Sequence, residues 1–141
     1  MSKSLLKKSL LKMVSLLALA VVALLLVSCA GSASGATANS PSQVQVTLTE
    51  FKFDSSLTTF AVNTPYHFVI KNAGTVAHEW MIMPRGETDV SKALVKVGQD
   101  QLTAGTTVTQ DFTFTKPGDY EFACHMPGHY EAGMKLAIVV K

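Results

Sequence analysis

Over the second part of the chain, apolar and polar residues alternate with a period of two. Val44, Val46 and Leu48 alternate with Gln45, Thr47 and Thr49, as in a strand with one buried face, and Phe51 and Phe53 extend the alternation. Leu57 to Val62 leads to Asn63-Thr64-Pro65, a turn signal, after which Tyr66, Phe68 and Ile70 alternate with His67, Val69 and Lys71. This phase puts His67 on the solvent side. Asn72-Ala73-Gly74 breaks the chain, and His78 to Met83 resumes as a strand that stops at Pro84. Arg85 to Gln101 is less regular, with room for a short helix. Val108, Phe112 and Phe114 belong to a further strand, Lys116-Pro117-Gly118-Asp119 is a turn, and Tyr120 to Cys124 and Met134 to Val140 make the final pair. Seven or eight short strands over 43–141 predict an all-β domain, an antiparallel Greek-key β-sandwich.

The first part of the chain follows a different pattern. Lys3, Lys7, Lys8 and Lys12 make a basic start, and Met13 to Val27 is an uncharged apolar run, the layout of an export signal. Leu26-Val27-Ser28-Cys29 matches the lipobox of bacterial lipoproteins. The expectation is a leader over 1–28, a lipid anchor on Cys29, and a flexible tether over 29–42. From Ala30 to Ser42 the residues are almost all Ala, Gly, Ser, Thr, Asn and Pro, too polar and small to bury a core. An uncleaved membrane helix over Leu10 to Val27, although Lys12 interrupts it, and an ordinary signal peptide are the alternatives. Each of these arrangements puts the domain outside the cytoplasm, at the periplasm or cell surface. A single lipid chain anchors only marginally, so stable attachment needs the further acyl chains of such lipoproteins.

Charge changes meaning once the leader is set aside. The whole chain of 141 residues carries +2, but four of the twelve basic residues lie in the leader and all ten acidic ones lie beyond it. The exported part, with eight basic against ten acidic residues, is therefore at −2. It has no basic cluster, which argues against a nucleic-acid partner. The two cysteines carry a similar message: with Cys29 used as an anchor, Cys124 has no partner for an internal disulfide and is kept for other chemistry.

That chemistry is suggested by Cys124-His125-Met126-Pro127-Gly128-His129-Tyr130-Glu131-Ala132-Gly133-Met134, where a thiol, an imidazole and a thioether recur at four-residue gaps between two strands. A second imidazole, His78, follows the Asn72-Ala73-Gly74 turn. Two His, one Cys and one Met form the donor set of a blue-copper site: thiolate is soft and favours Cu(I), imidazole suits both oxidation states, and thioether binds weakly along the axis. Taken singly, each residue has a plainer reading, since a lone Cys or Met is usually core and a lone His a hydrogen-bonded strand residue. Met81, Met83 and Met126 are read as packing rather than as a second thioether-rich site.

Over Val44 to Lys141 the sequence resembles the cupredoxins, in particular the plastocyanin, auracyanin and halocyanin group. The resemblance rests on Asn72-x-Gly74-x-x-x-His78, Gly118-x-Tyr120-x-Phe122-x-Cys124, and Cys-x4-His-x4-Met. It implies one type 1 copper ion, with His78, Cys124 and His129 as strong equatorial ligands and Met134 as the axial one. It also implies electron exchange at the edge of His129, through a small apolar surface formed by Pro127, Gly128, Ala132 and Gly133. The sequence departs from the plastocyanin pattern at Glu79, where Asn is common, and at His125, where Ser or Thr is common. In that family these two side chains link the ligand loops, so Glu79 and His125 are expected to form a charge-assisted bridge that tunes the potential with pH.

A filled site of this kind has no position for a small-molecule substrate, which favours a monomeric electron carrier over an enzyme. Four histidines are too few for the additional copper centres of multicopper oxidases, and one loop cysteine is too few for a binuclear centre. A cytochrome, an oxidase or a photosynthetic reaction centre would each fit as redox partner. Copper buffering or resistance outside the membrane is the main alternative, because the same ligands serve it. A hydrolase using Cys124 with His129, and a metal-free binding sandwich, are weaker alternatives.

Overall fold

The structure is a computed structural model that describes residues 41–141. Cys29, the leader and most of the tether lie outside the described residues. Nine strands follow in order: β1 (Ser42–Thr49), β2 (Lys52–Ser55), β3 (Thr59–Phe60), β4 (Pro65–Asn72), β5 (Trp80–Pro84), β6 (Val95–Val97), β7 (Thr107–Thr113), β8 (Gly118–Ala123) and β9 (Lys135–Val140). One 3₁₀ turn, Val90–Lys92, lies between β5 and β6. β1 begins one residue inside the predicted tether, since Ser42 already pairs with Tyr66.

The strands form two sheets, β2-β1-β4-β7 and β3-β9-β8-β5-β6. The predicted all-β sandwich is present, with one more strand than expected and one parallel pair in each sheet: β1 with β4 and β3 with β9. Alternation reports which face of a strand is buried and not which way the strand runs, so direction could not be read from it. The β1–β4 connection has the length that a parallel crossover requires, and it carries β3 into the other sheet on the way.

Between the sheets, Val44, Val46 and Leu48 of β1 and Tyr66, Phe68 and Ile70 of β4 meet Trp80 and Ile82 of β5, Phe122 of β8 and Ile138 and Val140 of β9 in one buried cluster. Each such side chain contributes roughly 1.5–3 kcal/mol when fully buried. β5 lacks the alternation of β1 because both its faces are covered. Trp80 and Ile82 enter the main core, whereas Met81 and Met83 pack with Ala123 and Tyr130 in a second, smaller cluster. The packing role expected for these two methionines is the one observed.

Two local differences from the sequence reading matter for the site. The alternation of Phe51 and Phe53 does not continue β1: Thr49 pairs with Lys52, so the chain reverses at Glu50-Phe51. Two-residue hairpin loops usually carry Asn-Gly or a similar pair, and that signal is absent here. Phe51 instead takes φ 60°, an uncommon conformation for a bulky residue. Second, β5 starts at Trp80, β8 ends at Ala123 and β9 starts at Lys135. His78, Cys124 and Met134 therefore lie just outside strand ends, where side-chain direction is freed from the period of two.

Candidate metal centre

The loop after β8 is built from its own backbone. Cys124 N–H donates to Met134 O at 3.2 Å and closes the neck, while Met134 N–H donates to His129 O and His129 N–H to Met126 O, both at 3.0 Å. Gly133 sits at φ 100°, a conformation only glycine adopts freely, and lets the chain re-enter β9. Upstream, Asn72 fixes the loop that carries His78. Its fully buried side chain donates to Val76 O at 2.7 Å and Leu102 O at 2.8 Å, and accepts from Gly74 N–H at 2.9 Å. His78 N–H donates to the same Leu102 carbonyl at 3.1 Å.

These two loops bring His78, Cys124 and His129 together. His78 Nδ1 lies 3.3 Å from His129 Nδ1, and His129 Nδ1 lies 3.4 Å from Cys124 Sγ. One donor atom from each of the three residues lies within 4.8 Å of the others. Separations of this size are what a single ion about 2 Å from each donor would span. Soft sulfur with two imidazoles suits copper better than a hard cation, so the residues present fit the group. Met134 is fully buried in the same cluster as Cys124. His78 and Cys124 are fully buried as well, whereas His129 is only partly covered.

Burial also sets the protonation states. It lowers the pKa of His78, with the neighbouring His129 acting in the same direction and Glu50 opposing. It raises that of the Cys124 thiol, with N–H donation to sulfur from Glu79 (3.4 Å) and Met126 opposing. At neutral pH the metal-free site thus holds a protonated Cys124 thiol beside a neutral His78 imidazole, and metal uptake releases the thiol proton. A histidine whose folded pKa lies below its ordinary value near 6.5 contributes stability that is complete above that value and lost as pH falls through it. Thermal melts of the metal-free protein are expected to fall in midpoint from pH 7 to 5, and less so in His78→Gln. Parallel curves for the two proteins would refute the assignment.

Gly74 packs where no side chain fits. A Cβ there would stand 2.8 Å from Glu50 Oε1, 3.1 Å from His78 Nε2 and 3.2 Å from Asn72 Oδ1. Gly74→Ala is expected to cost about 1–3 kcal/mol in urea unfolding and to weaken copper binding in chelator competition. Unchanged values in both would show that the loop yields freely.

The expected Glu79–His125 bridge is not formed. Glu79 Oε1 is paired with Lys96 Nζ at 2.6 Å, and His125 Nε2 is buried without a hydrogen-bond partner among the described residues. His125 instead stacks on Tyr130, with centroids 4.4 Å apart and planes 15° apart. Lys96 comes from β6, in the stretch read as irregular, so it could not be anticipated. Tyr130 in turn donates to Glu121 at 2.7 Å, and burial together with that carboxylate pushes its pKa up to about 12. His125 is not among the three converging donors. His67 pairs with Asp111 on the surface and is remote from them in the fold.

Pro127, Gly128, Ala132 and Gly133 are all exposed. Sequence reading missed two further apolar residues of the ligand-bearing region. Val76, in the His78 loop, is 47% exposed, and Phe51, 48% exposed, meets the His129 ring edge to face at 5.4 Å. Alternation with Phe53 assigns Phe51 to a strand, which hides this contact.

The fold and this donor set define a copper protein of the type 1 class, with a site for one ion. Residues 17–138 match the cupredoxin-like domain family, and the chain belongs to it. It is 31% identical over 120 residues to the copper-resistant cuproprotein CopI of Rubrivivax gelatinosus, covering 76% of this chain and 71% of that one. Identity is 35% over 89 residues to the CopI of Vibrio cholerae, covering 57% of this chain and 53% of that one, so the match spans about half of that relative's length. Among solved structures, the auracyanin of Roseiflexus castenholzii superposes with a TM-score of 0.59 at 22% identity, covering 71% of this chain and 97% of that one, a likeness of fold. No helix among the described residues is long and apolar enough to cross a membrane.

Proposed function

We propose that this copper protein carries single electrons between redox proteins outside the cytoplasm, as a monomer tethered to the membrane through lipid on Cys29. The observation that carries the reading is a donor set whose members His78 and Cys124 are wholly buried while His129 alone keeps an edge toward solvent. Bound copper supplies a one-electron couple. The residues do the rest: Cys124, His78 and Met134 exclude water, and the loop hydrogen bonds hold the donors in place. The small residues Gly128, Ala132 and Gly133 let a partner approach His129 closely. Nothing in this arrangement offers a substrate its own position, which supports a carrier rather than an enzyme. A cytochrome, an oxidase or a photosynthetic reaction centre would complete the circuit. Voltammetry of the copper-loaded protein, with Ala132→Glu as contact variant, tests the reading. A reversible couple in both, with slower exchange with a redox protein in the variant, is expected. The absence of a reversible couple would rule out a carrier.

A second reading is copper tolerance, favoured by the relative at 31% identity that is named for copper resistance. Growth of cells lacking the protein separates the two. Sensitivity to added copper with unimpaired electron transport would favour tolerance, and the converse would favour the carrier.

A further inference from the structure

The Glu50-Phe51 turn touches both imidazole-bearing loops. Glu50 Oε1 accepts from Thr75 Oγ1 at 2.9 Å and also from the Thr75 backbone N–H, and these contacts hold its pKa down at about 2. The same oxygen and His78 Nε2 both border the point where a Gly74 side chain would stand. His78 Nε2 is buried with no hydrogen-bond partner among the described residues, so the ring makes no bond of its own at that edge. One residue on, Phe51 is held at φ 60° with its ring edge to face against His129. Left-handed backbone at a bulky residue persists only where surrounding contacts over-determine it. The two-residue β1–β2 hairpin itself calls for positive φ in its loop, and the contacts to Thr75 on one side and His129 on the other add to that constraint.

We propose that the Glu50-Phe51 turn is a clamp that positions both imidazoles, His78 through Gly74 and Thr75 and His129 through the Phe51 ring, so that loosening either end of the turn frees His129. Glu50 and Phe51 are positioning residues, and the proposal rests on reading His78 and His129 as copper ligands. It predicts an asymmetry. Removing the Phe51 ring releases His129 and leaves the Glu50–Thr75 contacts intact. Removing the Glu50 carboxylate untethers the whole turn and disturbs both rings.

Imidazole proton–nitrogen NMR spectra of the full-length protein, recorded before and after Cu(I) is added, test this. Without metal, wild type is expected to show one narrow set of signals for each ring. Phe51→Ala should broaden or double the His129 set alone, Phe51→Tyr should restore it, and Glu50→Ala should broaden both sets. Glu50→Gln, which keeps an acceptor oxygen, should give the same change more weakly and serves if the alanine variant does not fold. Wild-type His129 signals in Glu50→Ala or in Phe51→Ala would overturn the clamp. A wild-type protein whose imidazole signals ignore Cu(I) would instead refute the ligand reading, while the metal-free spectra of the variants still decide the clamp.

Discussion

Replacing Cys124 by serine will abolish the visible sulfur-to-copper absorption of the loaded protein and lower its copper affinity by more than ~100-fold, the upper end of what losing even an outer hydrogen-bond partner of a ligand costs. The side chain is fully buried, is the one free thiol among the described residues, and puts its sulfur 3.4 Å from His129 Nδ1. Serine is similar in shape, but its hydroxyl stays protonated and is a hard donor, so the loss is chemical rather than steric. A buried hydroxyl without a good partner costs about 1–3 kcal/mol, so the metal-free variant should still fold. Optical titration with Cu(II) beside urea unfolding separates the two effects. Retention of the band in the serine variant would exclude a thiolate–copper bond.

Phe60→Ala is expected to remove about 3–5 kcal/mol from a stability that for domains of this kind totals about 5–15 kcal/mol. Phe60 is 1% exposed and its ring meets Tyr66, Phe114, Phe68 and Phe122 at centroid distances of 5.0, 5.1, 5.9 and 6.1 Å. It therefore joins strands of both sheets, although its own strand has only two residues. The Tyr66 hydroxyl, which accepts from Ala61 N–H at 2.8 Å, would also lose part of its support. In urea the midpoint should fall with an unchanged slope, and added copper should recover part of the loss by mass action. A loss below about 1 kcal/mol would mean that the ring is less central than its packing indicates.

What was legible in the sequence follows from what leaves a local trace. Alternation in β1 and β4 reported their buried faces correctly, because each has one face in the core. The donor set was legible because three of its members sit in one loop at fixed spacing and the fourth follows a turn with its own signal, Asn72-Ala73-Gly74. Contacts set by tertiary structure left no such trace. Lys96 reaches Glu79 only because β6 pairs with β5, and β6 is a three-residue strand inside an irregular stretch. Phe51 reaches His129 only because Glu50-Phe51 turns where its composition reads as strand. Pairing direction was equally invisible, since β1 would show the same alternation beside a parallel or an antiparallel neighbour.

The parallel β3–β9 pair has a consequence for the order of assembly. Thr59 meets Val139 across about 80 intervening positions, a closure whose entropy must be met before its contacts return anything. β9 is also the strand that follows Met134, and it lies between β3 and β8 in its sheet. Until it docks, the neck between Cys124 and Met134 stays open and the thiol stands in solvent, accessible to oxidants and to stray metal. Any state in which β9 is undocked therefore leaves the thiol chemically more vulnerable than the folded protein does.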